Sequence, residues 1–89
     1  MRNPMVLFNT LYTLTEDLRQ AAFTVCPNSE ARFCNEVYIL CSDHWMRLYE
    51  LNPRARESKL RNFNEEELES LEQLIRLAKS ACAMVEANA

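Results

Sequence analysis

The chain contains no glycine in 89 residues, whereas average usage would place about six in a chain of this length. Glycine supplies the positive backbone φ that tight hairpins, β-bulges and phosphate-binding loops require. Its absence argues against small β-rich folds, and it excludes the glycine-rich motifs that bind nucleotides. We therefore expect an all-α chain.

Apolar residues recur at helical spacing in three segments, at about 4–25, 29–51 and 64–87. The first segment opens with Asn3-Pro4, a capping residue followed by proline at the first helical position. Residues 6–15 also show the alternation of a β-strand, but the spacing of four and three favours a helix. We predict a single domain, either a three-helix bundle or a helical hairpin with an added N-terminal helix.

Prolines and asparagines mark the predicted boundaries between these helices. Pro27 separates the first two, and Asn52-Pro53 is expected to stop the second. Asn64 and Glu67 have the spacing of a capping box, which predicts the start of the third helix. Residues 52–63 then form a connector between the second and third helices.

The stretch CNEVYILCSDHW, residues 34–45, places two cysteines and the only histidine close together. On a helix, the α-carbons of Cys34 and Cys41 would lie about 10.5 Å apart, too far for both thiolates to bind one zinc ion. Cys41 and His44 could share an ion, but two ligands do not complete a structural zinc site. We interpret these cysteines as small apolar core residues and predict no metal and no cofactor.

No residue pattern indicates a catalytic site. The sequence SDH at 42–44 has the letters of a catalytic triad, but consecutive helical residues point in different directions. A nucleophilic Cys41–His44 pair would need an orienting group and an oxyanion hole, and nothing marks either. The acidic residues of 65–72 are typical of a solvated helix N-terminus. We therefore predict that the protein is not an enzyme.

The second and third helices each carry two adjoining apolar stripes, more apolar surface than a three-helix monomer would bury. We expect the surplus to be covered by a second copy in a homodimer or by the amphipathic helix of another protein. The leading hypothesis is a non-enzymatic regulator or adaptor, such as an anti-activator or a chaperone. The residues predicted to bind the partner are Tyr38, Trp45, Leu48, Leu74, Leu77 and Met84.

The connector 52–63 is the most basic part of the chain. Its single acidic residue is Glu57, and its four basic residues are Arg54, Arg56, Lys59 and Arg61. The alternative hypothesis is a small nucleic-acid-binding regulator that uses this loop to contact phosphates. In the simpler interpretation the connector is a solvated linker whose arginines pair with neighbouring helices.

The location predicted from sequence is the cytoplasm. The N-terminal run MVLF is too short for the core of a signal peptide, and no stretch approaches the roughly 20 apolar residues of a membrane span. The net charge is −3, so no overall positive field attracts nucleic acid or an anionic membrane. Four cysteines without a signal peptide indicate reduced thiols, and disulfides stay open as the alternative if the protein is exported by a route that needs no N-terminal signal.

The segments AAFTVCPNSEARFCNEVYIL and LIRLAKSACAMVEA resemble small all-helical proteins of pseudomonads. Those proteins share an F-x-V-x-P motif before a helix and close with an L-x-x-x-A-K helix, and the resemblance covers about 22–88. The matching residues are Phe23, Val25, Pro27, Ala78 and Lys79; Asn28 stands where these proteins often have glycine. The resemblance implies a bacterial, helical protein without an established activity, and by analogy with other small helical proteins of such bacteria an anti-activator.

Overall fold

The computed structural model describes residues 3–25 and 28–87, and for residues 21–25, 28, 45 and 46 it describes the backbone alone. The predicted break at Pro27 and the side chains of Phe23, Val25 and Trp45 therefore lie outside the described part. Within that part the chain is helical and contains no strand. The prediction of an all-α fold is confirmed, and residues 6–15 are helix.

The described residues form four α-helices. They are α1 (Pro4–Val25), α2 (Asn28–Tyr49), α3 (Pro53–Arg61) and α4 (Glu65–Ala87). The three long helices correspond to the three predicted segments, although α2 ends two residues earlier than expected. None of the helices in the described part combines the length and the apolar character that a membrane span requires.

Helices α2 and α4 run antiparallel and approach closely. The thiol of Cys34 lies 3.8 Å from the carbonyl oxygen of Ala81, and the thiol of Cys41 lies 4.0 Å from that of Leu74. The later residue of α2 therefore contacts the earlier residue of α4, as expected for antiparallel helices. Small side chains at this contact let the two backbones approach until thiols donate weak hydrogen bonds to carbonyls.

Helix α1 completes the bundle by packing antiparallel to α2 and parallel to α4. The rings of Tyr12 and Tyr49 stack with their centroids 6.4 Å apart. On the other side of α1, the thiol of Cys82 lies 3.8 Å from the carbonyl oxygen of Leu14. Side chains from all three helices fill the shared interior. Its buried members are Leu11, Leu18, Cys34, Val37, Cys41, Leu71, Ile75, Ala78, Ala81 and Val85.

The prediction that residues 52–63 form a loop is wrong, because nine of these residues form α3. The side chain of Asn52 accepts a hydrogen bond from the backbone N–H of Ala55 at 2.8 Å, and Pro53 occupies the first turn. Asn52-Pro53 therefore starts a helix as well as ending the one before it. Leu60 anchors α3 in a second buried cluster with Phe8 and Leu48.

The predicted caps of α1 and α4 are confirmed. The side chain of Asn3 accepts a hydrogen bond from the N–H of Met5 at 2.9 Å. At α4 the side chain of Asn64 accepts from the N–H of Glu67 at 2.8 Å, while the Glu67 carboxylate accepts from the N–H of Asn64 at 3.4 Å. These bonds satisfy backbone donors that the first turn of a helix leaves unpaired.

Candidate protein-docking groove

A groove of about 320 Å³ runs along the surface between α2 and α4. We call it the α2–α4 groove. Four of its lining residues come from α2 and four from α4. Its lining residues are Leu40, Asp43, His44, Arg47, Ser70, Gln73, Leu74 and Leu77.

The apolar side chains of the groove remain substantially accessible to solvent. Leu40 on α2 is 54 % exposed, and Leu77 on α4 is 39 % exposed. Leu74 on α4 is half-buried and packs against the main core, the buried cluster shared by α1, α2 and α4. An apolar surface shared by two helices in this way suits a helical segment that inserts its own apolar residues between them.

The rim of the groove carries one charge of each sign. Arg47 and Asp43 lie four residues apart on α2 and form an ion pair of 3.4 Å, with 76 % and 70 % of their side chains exposed. An exposed pair of this kind contributes little to stability, since water screens both charges. The groove is therefore electrically neutral at its edge, and both charged groups remain available to a docked molecule.

His44 supplies the polar group with the most unusual environment in the groove. Its Nε2 atom is buried and makes no hydrogen bond within the described part of the chain. Burial lowers the pKa of His44, Arg47 lowers it further, and Asp43 and Glu67 act in the opposite direction. At neutral pH the imidazole is uncharged, so a docked segment can complete its hydrogen bonding at modest desolvation cost.

The structure brings together two of the six residues predicted to bind a partner, Leu74 and Leu77. Tyr38 is half-buried against the main core, and Met84 packs against the same core farther along α4 than the groove lining. The side chain of Trp45 lies outside the described part. Leu48 is 3 % exposed and belongs to the second buried cluster, so its prediction as a surface contact is wrong.

Sequence periodicity placed Leu40 and His44 on one apolar face of α2 without deciding whether that face is core or interface, and the structure places both residues in the groove. A signal for this placement does exist in the sequence. Leu40, His44 and Arg47 follow one another at helical spacing and turn from apolar to charged, as expected at the edge of a buried face. Periodicity alone did not separate that edge from the stripe that faces the core.

The basic residues of 52–63 do not form a common phosphate-binding surface. Arg56 points inward and donates hydrogen bonds to the carbonyl oxygens at the end of α2. Arg61 forms an ion pair with Glu57. Arg54 and Lys59 are exposed and make no ion pair or side-chain hydrogen bond within the described part. The simpler interpretation, in which arginines pair with neighbouring helices, therefore holds for Arg56, whereas Arg61 pairs within α3.

No three His, Cys, Asp or Glu side chains in residues 3–25 and 28–87 are grouped so that they could hold a metal ion. Comparison of the chain with models of protein families, with curated proteins and with solved structures found no significant match.

Proposed function

We propose that this protein is a non-enzymatic regulator or adaptor, of the anti-activator or chaperone kind. In this proposal it binds an amphipathic helix of another protein in the α2–α4 groove. The partner would place apolar residues against Leu40, Leu74 and Leu77, and would bring a hydrogen-bonding group to His44. Binding would withhold or protect the partner's helix, and no bond would be made or broken.

The observation that carries the proposal is the exposure of Leu40 and Leu77 on the two walls of one groove. Single exposed leucines are ordinary on protein surfaces, but apolar groups that face one another across a groove are typical of helix-binding sites. The neutral rim adds support, since it does not repel partners of either charge.

The thiols also bear on where the protein acts. Cys34, Cys41 and Cys82 carry no disulfide, which suits the reducing conditions of the cytoplasm. We place the protein in the cytoplasm of a bacterium as part of the proposal.

The test is a pull-down from lysate of the source cell with tagged wild type, Leu77→Glu and Ile39→Glu, each with and without nuclease. Ile39 is the matched control, because it is 55 % exposed on α2 but does not line the groove. We expect one protein to be enriched by wild type and by Ile39→Glu, and to be lost with Leu77→Glu. Circular dichroism checks that each variant keeps its helices.

Two results would contradict the proposal. If Leu77→Glu folds and still enriches the same protein, the partner binds elsewhere on the chain. If enrichment disappears with nuclease, the nucleic-acid hypothesis replaces protein binding, and Arg54 and Lys59 become the residues to substitute.

A further inference from the structure

We propose that a second copy of this chain covers the α2–α4 groove in the free protein, in a two-fold symmetric dimer. This inference goes beyond the proposed function, because it states what occupies the groove before any partner arrives. It also implies that self-association and partner binding exclude each other. Its test uses purified protein alone, so it can fail or succeed independently of the proposed function.

Charge distinguishes this groove from one of the larger depressions of the bundle. A groove of about 370 Å³ between α1 and α4 is lined by the carboxylates of Asp17 and Glu86 and by no basic residue. Two copies meeting there would bring like charges together, which costs association free energy. The chain as a whole carries a net charge of −3, yet Asp43 and Arg47 cancel at the rim of the α2–α4 groove. Two copies can therefore approach at this surface without net repulsion.

The exposed aromatic side chains offer a weaker surface for association. Tyr12 and Tyr49 stack on each other, and the guanidinium of Arg56 lies 5.1 Å from the centre of the Tyr49 ring. Their ring faces are already in contact with groups of the same chain. Leu40 and Leu77, in contrast, face solvent across an open groove.

The order of charges along α2 fits a symmetric contact. In a two-fold interface, residue i of one copy meets residue j of the other, and j meets i. Asp43 and Arg47 are separated by about 6 Å along the helix axis. When two antiparallel α2 helices cross midway between these residues, Asp43 of each copy lies beside Arg47 of the other. The two exposed intrachain pairs then become a network of four charges, with Leu40 of each copy one helical turn away from it.

The first experiment measures self-association of purified protein by sedimentation equilibrium. We expect wild type and Val6→Glu to dimerise with similar dissociation constants. Leu40→Glu should raise the constant by about tenfold or more, since it places a carboxylate in the apolar contact. Val6 is the control because it is an apolar residue that is 59 % exposed and lies on α1, away from the groove and from the charged residues of α2.

The second experiment exchanges the charges. Each copy of Asp43→Arg brings two positive groups to the contact, and each copy of Arg47→Asp brings two negative groups. Because like charges then face one another across the contact, we expect each variant alone to associate about tenfold more weakly than wild type. An equimolar mixture should regain the affinity of wild type, because every cross-copy pair is again of opposite sign. Both sites are highly exposed, so these substitutions leave the core intact and keep the test valid if Leu40→Glu unfolds.

Three outcomes would overturn the inference. The first is a wild-type protein that stays monomeric up to about 1 mM. The second is a dimer that tolerates Leu40→Glu as well as Val6→Glu. The third is a mixture of the charge variants that associates no better than either variant alone.

A specific dimer with no partner in the pull-down would overturn only the proposed function, and a partner bound by a strictly monomeric chain would overturn only this inference.

Discussion

At the scale of single residues, Arg56 substitutes for a glycine that the chain lacks. Helices often end with a residue of positive φ, usually glycine, which lets backbone N–H groups reach the last carbonyls. No residue in the described part has positive φ. At the end of α2, Arg56 instead donates to the carbonyl oxygens of Leu48 at 3.1 Å, Tyr49 at 3.2 Å and Leu51 at 3.2 Å. A basic group here also opposes the negative end of the helix dipole.

Replacing Arg56 should therefore destabilise the fold rather than affect a binding activity. We expect Arg56→Lys to lower the free energy of unfolding by about 1 to 3 kcal/mol, because one ammonium group cannot reproduce the forked set of hydrogen bonds. The guanidinium also lies 5.9 Å from the centre of the Phe8 ring, a contact that lysine would weaken. Urea unfolding followed by circular dichroism provides the measurement.

Arg54→Lys is the matched control, since Arg54 is exposed on the same short helix. Its free energy of unfolding should stay within about 0.5 kcal/mol of wild type. Equal losses in the two variants would show that the cap at the end of α2 does not depend on Arg56.

His44 should make stability depend on pH. Because burial lowers its pKa in the folded chain, the unfolded chain binds a proton first as the pH falls through about 6.5. Stability is therefore fully present above that value and is lost as the pH falls toward the folded pKa. Arg47 strengthens this effect, whereas Asp43 and Glu67 weaken it.

The measurement is urea unfolding of wild type and His44→Gln at several pH values between 5 and 8. As the pH falls, we expect the free energy of unfolding of wild type to decrease relative to that of His44→Gln. A difference that stays constant with pH would mean that His44 titrates alike in the folded and unfolded chains.

At the scale of helices, the sequence predicted the long elements and missed the short one. Periodic apolar residues and the Asn3-Pro4 start suffice to identify a helix of twenty or more residues. The nine residues of α3 are mostly charged and bury Leu60 alone, so they offer no periodicity to detect. The same Asn-Pro pair precedes α1 and α3, and interpreting it at 52–53 solely as a stop concealed the second helix.

The candidate groove was only partly predictable for a different physical reason. A helix with two adjoining apolar stripes can face its neighbours in more than one rotation, and a single sequence does not determine which. Leu48 was predicted to bind the partner, but it belongs to the core because α3 covers it. Leu74 and Leu77 lie on one stripe of α4 and both line the groove.

The capping box of α4 provides a prediction at this scale. Asn64→Ala should lower the free energy of unfolding by about 1 kcal/mol, because the N–H of Glu67 loses its acceptor at the helix start. Asn64→Asp keeps the acceptor and adds a charge that the helix dipole favours, so its stability should equal or exceed that of wild type. Thermal unfolding of the three proteins at low salt compares them. If aspartate destabilises as much as alanine, the side-chain bond is not what stabilises the first turn.

At the scale of the whole molecule, the close packing of α2 on α4 has consequences on both sides of the contact. Inward, Cys34 and Cys41 lie buried against backbone carbonyls of α4. Outward, Leu40 and Leu77 line the groove between the same two helices and remain exposed. The tight interior and the open groove are thus two results of one arrangement.

The thiols of that interior should report unfolding of the entire bundle. Alkylation requires the thiolate, and burial raises the pKa of both Cys41 and Cys82. We expect iodoacetamide to modify Cys34 and Cys41 at least about a hundredfold more slowly than in urea-unfolded protein, since reagent reaches them only when the chain opens. Peptide mass spectrometry of a Cys26→Ser variant, which removes the cysteine outside the described part, gives each rate separately. Cys82 is only half-buried and should react sooner. If Cys34 and Cys41 instead react at unequal rates, α2 opens in segments and the bundle is not one cooperative unit.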